Sequence, residues 1–176
     1  MEQLINRQLE NGAPQPVRVW LVEPDPFARW GMAHWLNTHS YISILAATAG
    51  PGHIQKRLFQ FSPQIILLNM DDPMSAEWLD SFARSISSCA PEARVVCTAV
   101  GADRRLVDWL SQPVCSGYLL KGEMREALAE AVLAAAAGHR VLTPAAERTA
   151  DALGMRLSQA WVLAFSSGSS SVSPIL

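Results

Sequence analysis

Four side chains stand where apolar runs end, and their types could make one chemical site: Glu23, Asn69, Thr98 and Lys121. Glu23 follows the run 17–22, Asn69 follows 64–68, Thr98 lies near the end of 94–99, and Lys121 follows 116–120. If these runs are parallel strands, their carboxyl ends open on one crevice, where open sheets of this kind bind ligands. An acid, an amide, a hydroxyl and an ammonium would meet there. A carboxylate at the tip of the third run could accept a phosphoryl group. The amide of Asn69 has no anionic oxygen and cannot be that nucleophile.

The elements that must position these residues alternate along the chain. Strands are expected at 17–22, 41–47, 64–68, 94–99 and 116–120, and helices at 27–37, after the Gly50-Pro51-Gly52 break through about residue 61, and at 75–88, 102–110 and 123–137. Phe27, Trp30, Met32, Trp35 and Leu36 are available for the inner face of the first helix. Ser75 is placed to cap the third, and Gly138 to end the fifth in a left-handed conformation. Five largely apolar strands alternating with five helices imply an α/β fold, a doubly wound parallel sheet covered on both faces.

The flanks read differently. Residues 1–16 are a polar leader carrying Gly12, Pro14 and Pro16, and 17–143 form the domain. A further C-terminal helix is expected over 144–165, with Ala146, Ala150, Leu153, Leu157 and Trp161 on one stripe. The Ser-rich segment 166–176 is expected to be disordered.

Composition narrows the function classes. With 49% hydrophobic and 17% charged residues in 176, the chain can bury one sizeable core. A net charge of −2 provides no general attraction to nucleic acid or anionic lipid. Cys89, Cys97 and Cys115 lack metal or disulfide spacing, and His34, His39, His53 and His139 lack ligand spacing. There is no signal-peptide core and no run near the ~18 apolar residues of a membrane span, so the expected location is cytoplasmic. Without a nucleophile–base pair, nucleotide loop or metal cluster, no enzyme and no cofactor are expected.

The local sequences VRVWLVEPDP, LLNMDDP, VVCTA and SGYLLK, in that order, resemble the receiver domain of two-component response regulators. SGYLLK, an alanine-rich helix and GHRVLTP together are most similar to the NarL/LuxR branch, and the resemblance covers about residues 17–144. It implies a flavodoxin-like sheet of strand order 2-1-3-4-5. It assigns the phosphoacceptor position to Asn69, the two acids after the first strand to Glu23 and Pro24, and a metal-binding carbonyl to Asp71. The family's hydroxyl falls on Thr98, its lysine on Lys121, and its rotating aromatic on Tyr118.

Two of those positions depart from the pattern. Asn69 replaces the acceptor aspartate and Pro24 the second acid, so a magnesium site on Glu23 and Asp71 should be weak or absent. Lys121 is then expected to pair with Glu23, and Thr98 to hydrogen-bond within its loop. Asp25 is expected to cap the first helix rather than stand in as the missing acid. Asp71 and Asp72 are expected to be solvent-exposed and loosely held.

The function this implies is a pseudo-receiver: a signalling module working by protein–protein contact, not phosphorylated in the usual way. The alternative is a truncated or atypical NarL/LuxR-type transcriptional regulator whose helix-turn-helix domain is absent from this chain, so direct nucleic-acid binding is not expected. A protein partner or a homodimer is expected on the face of the fourth helix, fifth strand and fifth helix, or on the C-terminal helix. Trp109, Leu153, Leu157 and Trp161 are the interface candidates.

Overall fold

A computed structural model of the chain describes residues 15–72, 74–124, 127–155 and 160–162. Pro73, Leu157, residues 1–14 and the Ser-rich tail lie outside them, and with them the leader and tail expectations. The elements run β1 (Val17–Val22), α1 (Pro26–Asn37), β2 (Ile42–Thr48), α2 (Ile54–Phe61), β3 (Ile65–Asn69), α3 (Ala76–Cys89), β4 (Arg94–Ala99), α4 (Arg104–Leu110) and β5 (Cys115–Leu120). There follow α5 (Lys121–Met124), α6 (Leu128–Ala136), β6 (Arg140–Leu142), α7 (Pro144–Ala152) and β7 (Ala160–Val162).

All strand pairs are parallel, in the order β2-β1-β3-β4-β5-β6-β7. The 2-1-3-4-5 arrangement is present, but the five-stranded expectation is corrected: β6 and β7 extend the sheet past β5. Strand period 2 explains the layering. Val19, Leu21, Ile65 and Leu67 face one core with Met32 and Leu36 of α1 and the alanine-rich face of α6. Trp20, Val22, Ile66 and Leu68 face the other, against Leu58, Leu79, Phe82, Ile86 and Trp109 of α2, α3 and α4. Both faces of the sheet are thus buried, as near-continuous apolar strands require.

Three helix expectations change. Of the five α1 candidates Met32 and Leu36 are buried, whereas Phe27 and Trp30 are 85% and 71% exposed and Trp35 is also exposed. The expected helix 123–137 is described as α5 up to Met124 and α6 from Leu128, with residues 125 and 126 outside the described ones. Gly138 ends α6 as anticipated, at φ 89°, with His139 N–H donating to the Ala134 carbonyl and Gly138 N–H to that of Ala135, the left-handed two-bond cap. The helix expected over 144–165 stops at Ala152, and Trp161 lies in β7.

The join between β5 and β6 depends on Gly117, which pairs with Val141. A β-carbon there would stand 2.5 Å from Val141 Cγ2 and 2.6 Å from its carbonyl oxygen. The buried Thr143 hydroxyl accepts from Leu120 N–H at 3.1 Å, and Glu123 accepts from Ala145 N–H at 3.0 Å, which secures the start of α7. The flank of β5, expected as a partner face, is therefore covered by β6, with α7 packed against β5 and α4. Trp109 is fully buried and is corrected from interface to core; Leu153, just past α7, is 47% exposed.

Candidate functional site

The loop after β1 is fixed by proline and by capping. Pro26 occupies the first turn of α1, where a missing N–H costs nothing. Asp25 Oδ1 accepts from Ala28 N–H at 2.6 Å, so Asp25 is the helix cap and not a substitute acid. Arg29 reaches back from α1 to donate to the carbonyls of Glu23, at 2.7 Å, and Pro24, at 3.0 Å. That clamp was invisible in the sequence, because it depends on how the loop folds over the helix. It leaves the Glu23 side chain pointing into the crevice, 1% exposed.

Asn69 ends β3 opposite Thr98 of β4. Its Nδ2 donates to Glu23 Oε2 at 3.0 Å and to Asp71 Oδ2 at 2.9 Å, and its Oδ1 accepts from Asp71 N–H at 2.9 Å. Only this orientation of the amide suits two carboxylates and one N–H. Lys121, the first residue of α5, places Nζ 2.8 Å from Glu23 Oε2 and 2.8 Å from Asp71 Oδ2.

The expected Lys121–Glu23 pair is therefore present, but Asp71 joins it. Asp71 is not loosely held: besides Asn69 and Lys121, it accepts from Val100 N–H at 2.6 Å. The loop after β3 turns back at Asn69, which a strand-end reading treats as a simple exit, and this brings the carboxylate in. Two carboxylates rather than one thus face the ammonium. Partial burial pushes the Asp71 pKa up, but the bonds from Lys121, Val100 N–H and Asn69 outweigh it and hold it below the usual carboxylate value. Burial likewise opposes the Lys121 charge, and the bonds to Asp71 and Glu23 prevail, raising its pKa.

Thr98 and Tyr118 complete the set. Thr98 is 1% exposed and its hydroxyl has no hydrogen-bond partner among the described residues, which corrects the expected loop bond. Tyr118 is fully buried, its hydroxyl 3.4 Å from the Gly101 carbonyl, so the aromatic ring is in the inward state. Pro24 lines the edge of the crevice and supplies no oxygen from its side chain. Among the described residues no three His, Cys, Asp or Glu side chains gather where an ion could sit, and no helix is long and apolar enough to cross a membrane.

No family model matches the chain. Over 126 residues it is 28% identical to the uncharacterized transcriptional regulatory protein YxjL of Bacillus subtilis (strain 168), matching 71% of this chain and 56% of that one. The chain thus spans little more than half the length of that curated relative. Its structure is similar to the signal receiver domain described for NarL of Mycobacterium tuberculosis, with TM-score 0.62, 23% identity, and coverage of 72% of this chain and 100% of that one. It is also similar to a two-component response regulator of the LuxR family from Aurantimonas sp. SI85-9A1, with TM-score 0.67, 21% identity, and coverage of 80% and 99%. The chain has the fold of the response-regulator receiver domain, with Asn69 at the tip of β3 where the resemblance places the phosphoacceptor.

Proposed function

We propose that the chain is a receiver-like signalling module that acts through protein–protein contact and does not take a phosphoryl group in the crevice. The observation that carries this reading is the closed network at the strand tips. Asn69 donates to Glu23 and Asp71, and Lys121 Nζ lies 2.8 Å from an oxygen of each. The groups that would hold a metal and a phosphate are bonded to one another.

Magnesium fits these residues poorly. It favours near-octahedral oxygen ligation with carboxylates, and the ammonium of Lys121 already lies at the two carboxylate oxygens that could offer it. Asn69 adds only an amide oxygen, itself bonded to Asp71 N–H. Without an anionic oxygen at the tip of β3, no in-line acceptor exists. Contact is the remaining output, and the exposed Phe27 and Trp30 of α1 are the kind of apolar surface that partner binding uses.

The test is incubation with acetyl phosphate, or with beryllofluoride, plus magnesium. The expected outcome is no phosphoryl adduct by intact mass and no change in the amide spectrum. An adduct or spectral change that disappears when Asn69 is replaced by Ala sinks the proposal.

A second reading is supported by the name of the Bacillus relative: a transcriptional regulator of NarL/LuxR type whose DNA-binding part lies outside these 176 residues. A salt-dependent mobility shift of duplex DNA by this chain alone would instead put DNA binding within it.

A further inference from the structure

One helix carries three large aromatic side chains that its own domain leaves uncovered. Phe27 is 85% exposed, Trp30 71% and Trp35 41%, and all three belong to α1. The helical period puts Phe27, Trp30, Gly31 and His34 on one outward stripe, opposite the buried Met32 and Leu36, with Trp35 at its margin. A surface helix ordinarily turns charge to water. Arg29 is the one fully charged residue of α1, and it bends back to the Glu23 and Pro24 carbonyls. The stripe therefore presents rings and a glycine to solvent, with no lysine, arginine or carboxylate among them.

The pattern of the stripe says what fits it. Gly31 sits mid-helix, where glycine is a poor helix former, yet a β-carbon there would meet nothing within 4 Å. The packing of this chain does not call for it, whereas close approach by another backbone does. Phe27 and Trp35 stand four residues before and after it. Two antiparallel α1 helices crossing on a two-fold axis at Gly31 set Phe27 of each copy against Trp35 of the other, with the Trp30 rings beside the notch. A two-fold contact requires a self-complementary patch of this kind. Trp30 is already steadied by stacking on His34, with ring centroids 5.3 Å apart and planes at 8°, so little freedom is lost on pairing.

Charge and area agree. A charged partner finds no counter-charge on the stripe, whereas two copies meet there without like-charge repulsion. An aromatic side chain offers about 150–250 Å², so at these exposures the three rings hold roughly 400 Å² per copy. That is about half of the ~800 Å² per partner of a standard interface. It lies at the centre of the contact, where aromatic anchors carry most of the binding energy.

We propose that the outward face of α1 is a homodimer surface, on which two copies of this chain cross at Gly31 in exchange with the monomer. This rests on the reading that the chain works by contact, and it names the contact. The partner is a second copy, and the face is the first helix rather than the flank of β5 that β6 covers.

The test is sedimentation of the full chain from low to several hundred micromolar, with two-dimensional amide spectra over the same range. The mass should rise toward two copies and stop there. Shifts should centre on the amides of residues 27–34 and the Trp30 and Trp35 indole N–H groups. Trp30→Arg sets like charges beside the axis and should weaken the dimer about thirtyfold or more. Phe59→Arg, at an equally exposed ring on α2, should leave it unchanged. Gly31→Ala should weaken the dimer yet raise the melting temperature of the dilute monomer, since alanine favours the helix and nothing in the monomer obstructs it. A monomer at several hundred micromolar, association that Phe59→Arg lowers as much as Trp30→Arg, mass growing beyond two copies, or a dimer untouched by Gly31→Ala would each overturn the proposal. The acetyl phosphate experiment reads the crevice separately. An adduct there sinks the contact reading, and a monomer without an adduct overturns the pairing alone.

Discussion

The strand-tip crevice and the outer flank of β5 are both closed by the chain itself, by different means. In the crevice, charged and amide side chains from the loop after β1, from β3, from the loop after β3 and from α5 bond to one another, and Lys121 balances Glu23 and Asp71. At the flank, backbone pairs with backbone, and one residue without a side chain lets β6 approach β5. The first closure is electrostatic and depends on protonation. The second is steric and does not. A substitution can therefore open one and leave the other intact, which makes the two separable by experiment.

The largest effect is expected from Lys121→Met. Removing the ammonium leaves Glu23, 1% exposed, without its counter-charge and beside a second carboxylate. Losing one partner of a buried pair costs several kcal/mol. Because Lys121 is itself 20% exposed, about 3 kcal/mol is expected here, read as a fall in Tm. The β6 amides should keep their hydrogen-exchange protection relative to the rest of the sheet. A loss below about 1 kcal/mol would mean that Asn69 and the Asp25 N–H, which also bond Glu23, satisfy the carboxylate by themselves.

Gly117→Ala should come next, at about 2 kcal/mol, because a methyl group 2.6 Å from the Val141 carbonyl cannot be relieved by rotating a side chain. The loss should be local. Val141 and Leu142 should exchange faster, while the Asp71 and Lys121 signals stay in place. If protection falls uniformly instead, the added strands fold as one unit with the five-strand core and the separation of the two closures fails.

What the sequence made legible follows the same division. The apolar runs and their polar ends placed Glu23, Asn69, Thr98 and Lys121 on one edge, because strand period and capping chemistry are local. Ser75, Asp25 and Gly138 were legible for that reason. Asp71 reads in the sequence as a loose loop residue, since its turn back toward Lys121 depends on the Asn69 amide and on Val100 N–H, twenty-nine residues away. The β6–β7 extension was missed because three-residue strands carry too little periodicity to announce themselves. Trp109 and the α1 aromatics exchanged roles, one buried and the others exposed. Hydrophobicity alone does not say which side of a short helix meets the sheet.

Acid should separate the closures more gently. The folded Asp71 carboxyl titrates below its unfolded value of about 3.9. Its contribution is present above that unfolded value and is lost as pH falls through the lower, folded one. Unfolding followed from pH 6 down to about pH 3 should show a stability decrease that Asp71→Asn reduces and Gly117→Ala leaves unchanged. A decrease identical in Asp71→Asn would assign it to other carboxylates.

The smallest effect tests a polar group in the crevice that the network does not use. Thr98 buries a hydroxyl that lacks a partner among the described residues, while its backbone pairs normally with β3 and β5. A buried donor left unmade costs about 1–3 kcal/mol, and valine offers nearly the same shape without it. Thr98→Val should therefore leave stability unchanged or raise it by up to about 1 kcal/mol, in contrast to the loss from Lys121→Met on the same edge. The measurement is a denaturant midpoint at constant m-value. A drop of more than about 1 kcal/mol would show that the hydroxyl is bonded after all, and that the crevice closure extends from β1 across to β4.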